Sequence, residues 1–169
     1  MAGKVIAPHM NMTSAIRLPK SIESDPRTSQ LLEALADHSH LLWPGGTVKI
    51  PEARLNDGLK EVLLAAYHAG QVARSLQKVD QRLAAEARGQ GMADQKSGVP
   101  RGQRISRLLI LASDGAERFY RQVESLLQRH GPRVMAIRLH ADAEQLGGLL
   151  YGPGRAARLL MIVHKAAVG

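Results

Sequence analysis

Residues 104–114 read RISRLLILASD, and this stretch decides the fold. Ile105 and the run Leu108-Leu109-Ile110-Leu111 make a short, nearly continuous apolar segment between basic residues and a Ser-Asp pair. A run this short, without polar alternation, is the pattern of a strand buried on both faces of a sheet. Ser113 or Asp114 can then accept hydrogen bonds from the first free N–H groups of a helix, so the segment predicts a turn from strand into helix.

Toward the C-terminus, Phe119, Val123, Leu126 and Leu127 occupy i, i+4, i+7 and i+8, the stripe of a helix packed on a sheet, and Gly131-Pro132 stops it. Residues 134–139 are a second apolar run. Asp142 is a cap, Leu146, Leu149 and Leu150 mark a short helix ending at Gly152-Pro153, and residues 159–163 are a third buried strand. Strands alternating with helices need crossover connections, which predicts a small, mostly parallel sheet.

Toward the N-terminus, residues 89–103, GQGMADQKSGVPRGQ, are Gly-rich and polar and read as a mobile loop. Leu59, Val62, Leu63, Ala66 and Tyr67 fall on one helical face, starting near Asn56 or Asp57 and stopping at Gly70. Residues 71–75 fit a brief strand, with the helical period resuming at Leu76, Val79 and Leu83; one unbroken helix over 57–88 is the competing reading. Residues 1–26 have no sustained period and three prolines, which reads as an arm. A helix follows, capped by Asp25 with Pro26 at its first position, carrying Leu31, Leu32, Leu35 and Leu42 and ending at Trp43-Pro44-Gly45-Gly46, before a short extended piece over 47–50. The expected architecture is therefore α/β: an N-terminal extension over 1–55 with one helix, then a compact three-layer α/β/α sandwich over 56–169 with an inserted loop.

The chain has 169 residues, 44% of them apolar, enough for one domain with a real core. It has no cysteine, which excludes disulfides and thiolate metal sites and fits a reducing, cytoplasmic setting. The first residues hold no signal-like apolar run, and no apolar run approaches membrane-spanning length. The net charge is +8 and uneven: residues 1–70 balance seven Lys/Arg against seven Asp/Glu, whereas 71–169 hold sixteen against eight. Such a surplus attracts polyanions, because each phosphate neutralised releases condensed counterions.

The run LLILASD, the helix after it, and AEQLGGLLYGPGRAARLLMIV together resemble the superfamily of kink-turn-binding ribosomal proteins of the L-seven-Ae type, which includes bacterial ribosome-associated paralogues. The resemblance spans about the C-terminal 110 residues, with Leu146-Gly147 and Gly152 to Arg155 matching well and fairly. It implies binding of structured, rRNA-like RNA without catalysis or cofactor, with ribosomal proteins as possible neighbours. Where the family carries a Gly-Thr-Asn-Glu-like tetrapeptide contacting RNA bases, this chain has Ser75-Leu76-Gln77-Lys78. Gln77 offers an amide and Lys78 a phosphate contact, with Arg82 one turn further along the same helix. The absence of the glycine supports a rival reading, a protein-interaction subunit that kept the fold and lost the RNA site.

Physical chemistry points to the same surface. A helix starting near Ser75 presents free N–H groups and a positive dipole end to phosphate. The segment Gly152-Pro153-Gly154-Arg155-Ala156-Ala157-Arg158 combines bare backbone with two guanidinium groups, and Tyr151 beside it offers a ring to an unpaired base. Arg101, Arg104 and Arg107 would extend the basic track. The RNA-binding set is thus Ser75, Gln77, Lys78, Arg82, Gly147, Tyr151, Gly152, Gly154, Arg155 and Arg158. GPGR lacks the phosphate-binding P-loop pattern and precedes a strand. Asp114 at a strand end is better explained as a cap than as a catalytic group, and His38 with His40 lacks a third metal ligand. No catalytic residue, metal, cofactor or small-molecule substrate is assigned.

Overall fold

In the computed structural model, which describes residues 16–98 and 104–168, the run Leu108 to Leu111 lies in strand β4 (Arg107–Leu111) near the centre of a six-stranded sheet. Leu109 and Leu111 are fully buried on one face and Ile110 is buried on the other, as a strand covered on both sides requires. Flanking elements, in chain order, are α1 (Lys20–Glu23), α2 (Thr28–Asp37), β1 (Ser39–Leu41), β2 (Lys49–Ala53), α3 (Asp57–His68), β3 (Val72–Arg74), α4 (Leu76–Ser97), α5 (Glu117–His130), β5 (Val134–Leu139), α6 (Ala143–Tyr151), β6 (Leu159–Ile162) and α7 (Lys165–Val168). Helices α4 and α5 bury Val79, Leu83, Val123 and Leu126 on one face of the sheet. Helices α3 and α6 bury Leu63, Ala66, Leu146 and Leu150 on the other. The three-layer α/β architecture read from the sequence is present, and residues 57–97 form helix, strand and helix rather than one helix.

The strand order is β1-β2-β5-β4-β6-β3, and the sheet is mixed. The β2–β5 and β5–β4 ladders are parallel; β1–β2, β4–β6 and β6–β3 are antiparallel. The departure from a mostly parallel sheet has a local cause. After the nine residues of α6, the turn at Gly152–Gly154 reverses the chain, which runs back along the helix until Ala157 N donates to Ala143 O at 2.8 Å. Strand β6 therefore starts beside the carboxyl end of β4, with Leu159 opposite Leu111, and runs down antiparallel to it.

The N-terminal boundary also moves. Strands β1 and β2 lie within 39–53 and form one side of the sheet, so this part of the expected extension belongs to the α/β domain. Leu42 is buried in the β1–β2 connection rather than on a helix. Pro51 sits inside β2, and the β2–β5 ladder begins only after it, at Glu52 and Ala53, because proline has no N–H to donate. Residues 16–25 are docked: Ile105 N donates to Arg17 O at 2.9 Å, and Arg104 reaches Leu18 O at 3.0 Å and Glu23 at 2.6 Å. The rest of the expected arm, residues 1–15, lies outside the described residues. So does the end of the expected loop at 99–103, whereas 89–97 are the last turns of α4.

Capping follows the sequence in two places and departs in two. Asn56 caps α3 by accepting from Leu59 N at 2.8 Å, and Asp142 and Gln145 form a capping box at α6. Pro26 is not the first residue of α2: the helix starts two residues later, at Thr28, after Asp25 has bound the Arg27 backbone and guanidinium. Asp114 does not cap α5. Ser113 N and Oγ both bond Ala141 O, which draws the segment toward the start of α6, and Asp114 Oδ1 accepts from Ala143 N at 2.9 Å.

The β1–β2 connection, residues 42–48, is held to α5 by one buried carboxylate. Glu124 accepts from Thr47 N (2.7 Å), Thr47 Oγ1 (3.0 Å), Val48 N (3.0 Å) and Trp43 Nε1, while Arg121 stacks over the Trp43 ring. Burial pushes the Glu124 carboxyl up, but these donors outweigh it and hold it below the ordinary carboxylate value. Glu124→Gln turns one acceptor into a donor facing other donors, and a loss of about 2–4 kcal/mol is expected in denaturant unfolding followed by Trp43 fluorescence. Because the folded value is depressed, the gap between wild type and E124Q is full at neutral pH and shrinks as pH falls below about 4.

Candidate nucleic-acid interface

Strand β3 is the sheet edge, paired with β6 so that Val72, Ala73 and Arg74 face Ile162, Met161 and Leu160. One residue beyond Arg74 is Ser75, and the segment arriving at Leu159 carries Arg158. The edge ladder therefore brings the start of α4 and the glycine-arginine segment to the same end of the sheet.

Ser75 adopts φ 81° and ψ 124°, the one positive-φ residue other than glycine among the described residues. An L-residue pays for that conformation through Cβ crowding, and positions of this kind gather at binding sites. No side chain caps α4, and its first turn holds no acidic residue. The free amino end of this 22-residue helix thus faces solvent beside exposed Gln77 and Lys78. Leu76 is partly buried against the α4–α5 core.

On the facing segment, Gly152 (φ 91°) and Gly154 (φ 76°) make the turn, and a side chain at either would meet nothing within 4 Å. Their glycine requirement is one of backbone conformation, and it leaves exposed main chain. Arg155 and Arg158 are exposed, and among the described residues no hydrogen bond or ion pair engages the side chain of either, nor that of Gln77 or Lys78. Gly147 has a different role from the one expected. It is buried, and a Cβ there would lie 2.3 Å from Arg155 O, so it is the gap that lets the returning chain lie against α6.

Tyr151 is not an open ring. The Arg74 guanidinium lies over it, 4.3 Å from the centroid, and Tyr67 of α3 meets it edge-on at 5.2 Å and 82°. Burial, against the opposing charge of Arg74, raises the phenol above its ordinary value, so it stays protonated at neutral pH. Arg74, which the sequence reading passed over, is exposed and joins the two halves of the surface. Its signal was faint: an arginine ending a three-residue apolar strand has no partner visible in sequence.

Many other cations of the basic half are committed elsewhere. Glu86, half-buried on α4, binds Arg107, Arg133 (3.0 Å) and Arg82 (3.3 Å), so Arg82 leaves the surface only as an exposed, paired group. Burial raises the Glu86 carboxyl, and the three guanidinium groups together bring it below its ordinary value. Asp80 pairs with Arg129 and His130, and Glu52 with Arg138 and His140. Arg104 is bound to Glu23, and Arg101 lies outside the described residues. The expected track through Arg101, Arg104 and Arg107 is thus absent where it is described.

At the carboxyl ends of β4 and β5, a depression of about 480 Å³ is lined by His40, Trp43, Gly115, Tyr120 and Arg138, without Asp114. Arg138 is occupied there by Glu52 and the Leu41 and Leu42 carbonyls. Among the described residues no group of three His, Asp or Glu is arranged to hold a metal ion, and His40 lies 3.6 Å from Glu52. No helix among them is long and apolar enough to cross a membrane.

No family model and no curated protein matches the chain. Among solved structures it is similar to a protein with unknown function from Bacillus halodurans C, at 16% identity and a TM-score of 0.41, over 62% of this chain and 82% of that one.

Two substitutions separate conformation from packing. Ser75→Gly removes the Cβ crowding and is expected to raise unfolding stability by about 1 kcal/mol. Gly147→Ala forces the returning backbone off α6 and is expected to lower it by about 1–3 kcal/mol. Denaturant midpoints measure both.

Proposed function

We propose that the protein is a non-enzymatic binder of structured RNA, acting in the cytoplasm as a ribosomal or ribosome-associated protein related to the kink-turn-binding fold. The observation that carries this reading is the convergence at one sheet edge of the uncapped amino end of α4, Lys78, Arg155 and Arg158, all without an anionic partner among the described residues. Free N–H groups, an ammonium and two guanidinium groups on exposed backbone are what a phosphate chain requires. Arg107, Arg129, Arg133 and Arg138 are paired with carboxylates inside the fold, whereas these cations are left to an outside anion. The rival reading, an interaction subunit on the same fold, would gain from an exposed Leu76, and Leu76 packs against the core.

Binding of this kind weakens as salt rises, with a log–log slope of about −0.7 to −0.9 per phosphate neutralised. An Arg155→Ala, Arg158→Ala double variant should therefore bind a structured ribosomal RNA fragment roughly tenfold less tightly at moderate salt and with a slope shallower by about 1–2. Fluorescence anisotropy across a salt series measures both. Affinity for RNA that is unchanged by salt sinks the reading.

A further inference from the structure

Arg74 ends an edge strand, and its guanidinium lies over the ring of Tyr151, 4.3 Å from the centroid. Tyr67 braces that ring edge-on from α3, so the platform is supported from beneath by two helices, α3 and α6. The stack uses one face of Tyr151 and so prevents a base from taking that place. The guanidinium is exposed, and no hydrogen bond or ion pair engages it among the described residues. Its second face and its five N–H donors are therefore unspent. A guanidinium is planar and weakly hydrated, and it stacks on π-systems on either side.

We propose that Arg74, held over the Tyr151 ring, is the platform on which one unpaired nucleobase of the bound RNA stacks. The inference rests on the RNA-binding reading above and adds to it a specific ligand group, an extrahelical base. The next residues, Ser75 to Lys78, start α4, so a base on Arg74 would have its own or a neighbouring phosphate within reach of the free N–H groups of the helix. RNA readers select unpaired bases in this way, because a paired base has no open face to offer.

The test uses two hairpin RNAs that differ in one position: a single bulged adenosine, or the same bulge without its base. The phosphates are identical, so only the base separates them. The wild-type chain should bind the adenosine bulge about tenfold more tightly than the abasic one. Arg74→Lys keeps the charge and loses the plane, so it should bind both RNAs equally, at the abasic affinity and with an unchanged salt slope. Tyr151→Phe keeps the ring and should discriminate as the wild type does; Tyr151→Leu should not. Discrimination that survives in R74K, or is missing in the wild type, overturns the platform and leaves phosphate binding standing. Failure of the wild type to bind either RNA in a salt-dependent way removes both.

Discussion

The chain reverses after α6, and much of the architecture follows from the room left for it. At Gly147 the helix presents no side chain, and the backbone at Arg155 and Ala156 fills that gap. The reversal brings Ala157 back to the start of α6, so β6 can begin at the carboxyl end of β4 and pair antiparallel with it. With β6 in that direction, β3 adds at the edge in the opposite sense, and Ser75 comes to lie beside the segment carrying Arg155 and Arg158. A side chain at position 147 would push the returning chain at Arg155 and Ala156 off α6, which is why one buried glycine can govern an exposed surface.

Electrostatics then decides which cations remain available. Three acidic groups packed against the sheet each gather more than one base: Glu86 holds three arginines, Asp80 holds Arg129 and His130, and Glu52 holds Arg138 with a nearby pair of histidines. A carboxylate that is partly withdrawn from water needs this pairing, and the guanidinium groups satisfy it with directed hydrogen bonds. The excess of positive charge is thereby spent on holding helices to the sheet over most of the basic half. Arg74, Lys78, Arg155 and Arg158 keep no acidic partner at the edge where β3 meets α4, and Arg88, Lys96, Arg118 and Lys165 keep none elsewhere on the described surface.

The central strand was legible because an unbroken apolar run of four residues between charges has few other uses, and the same holds for 134–139 and 159–163. The α3 and α6 caps were legible because Asn56 and Asp142 act on their own helices. Asp114 was misassigned for the opposite reason: its bonding partner is Ala143, 29 residues away. Strand β1 was hidden by its length of three residues and by Leu42, whose spacing from Leu35 imitates a helical stripe. Of the candidate site, Arg155 and Arg158 were readable as charge beside glycine, and Lys78 as a cation at the start of a helix. The burial of Gly147, the covering of Tyr151 and the placement of Arg74 were not.

By itself, then, the sequence determined the α/β class, the identity of the core strands and the basic character of the second half, because hydrophobic runs, helical periods and net charge are properties of neighbours along the chain. Tertiary structure alone decided the direction of β6, the membership of β1 and β2 in the sheet and the choice of which arginines stay free. Those outcomes depend on contacts such as Gly147 with Arg155, Glu124 with the 43–48 loop and Glu86 with Arg133. Only folding brings such groups together, and their energies follow from distance in space rather than from order in sequence.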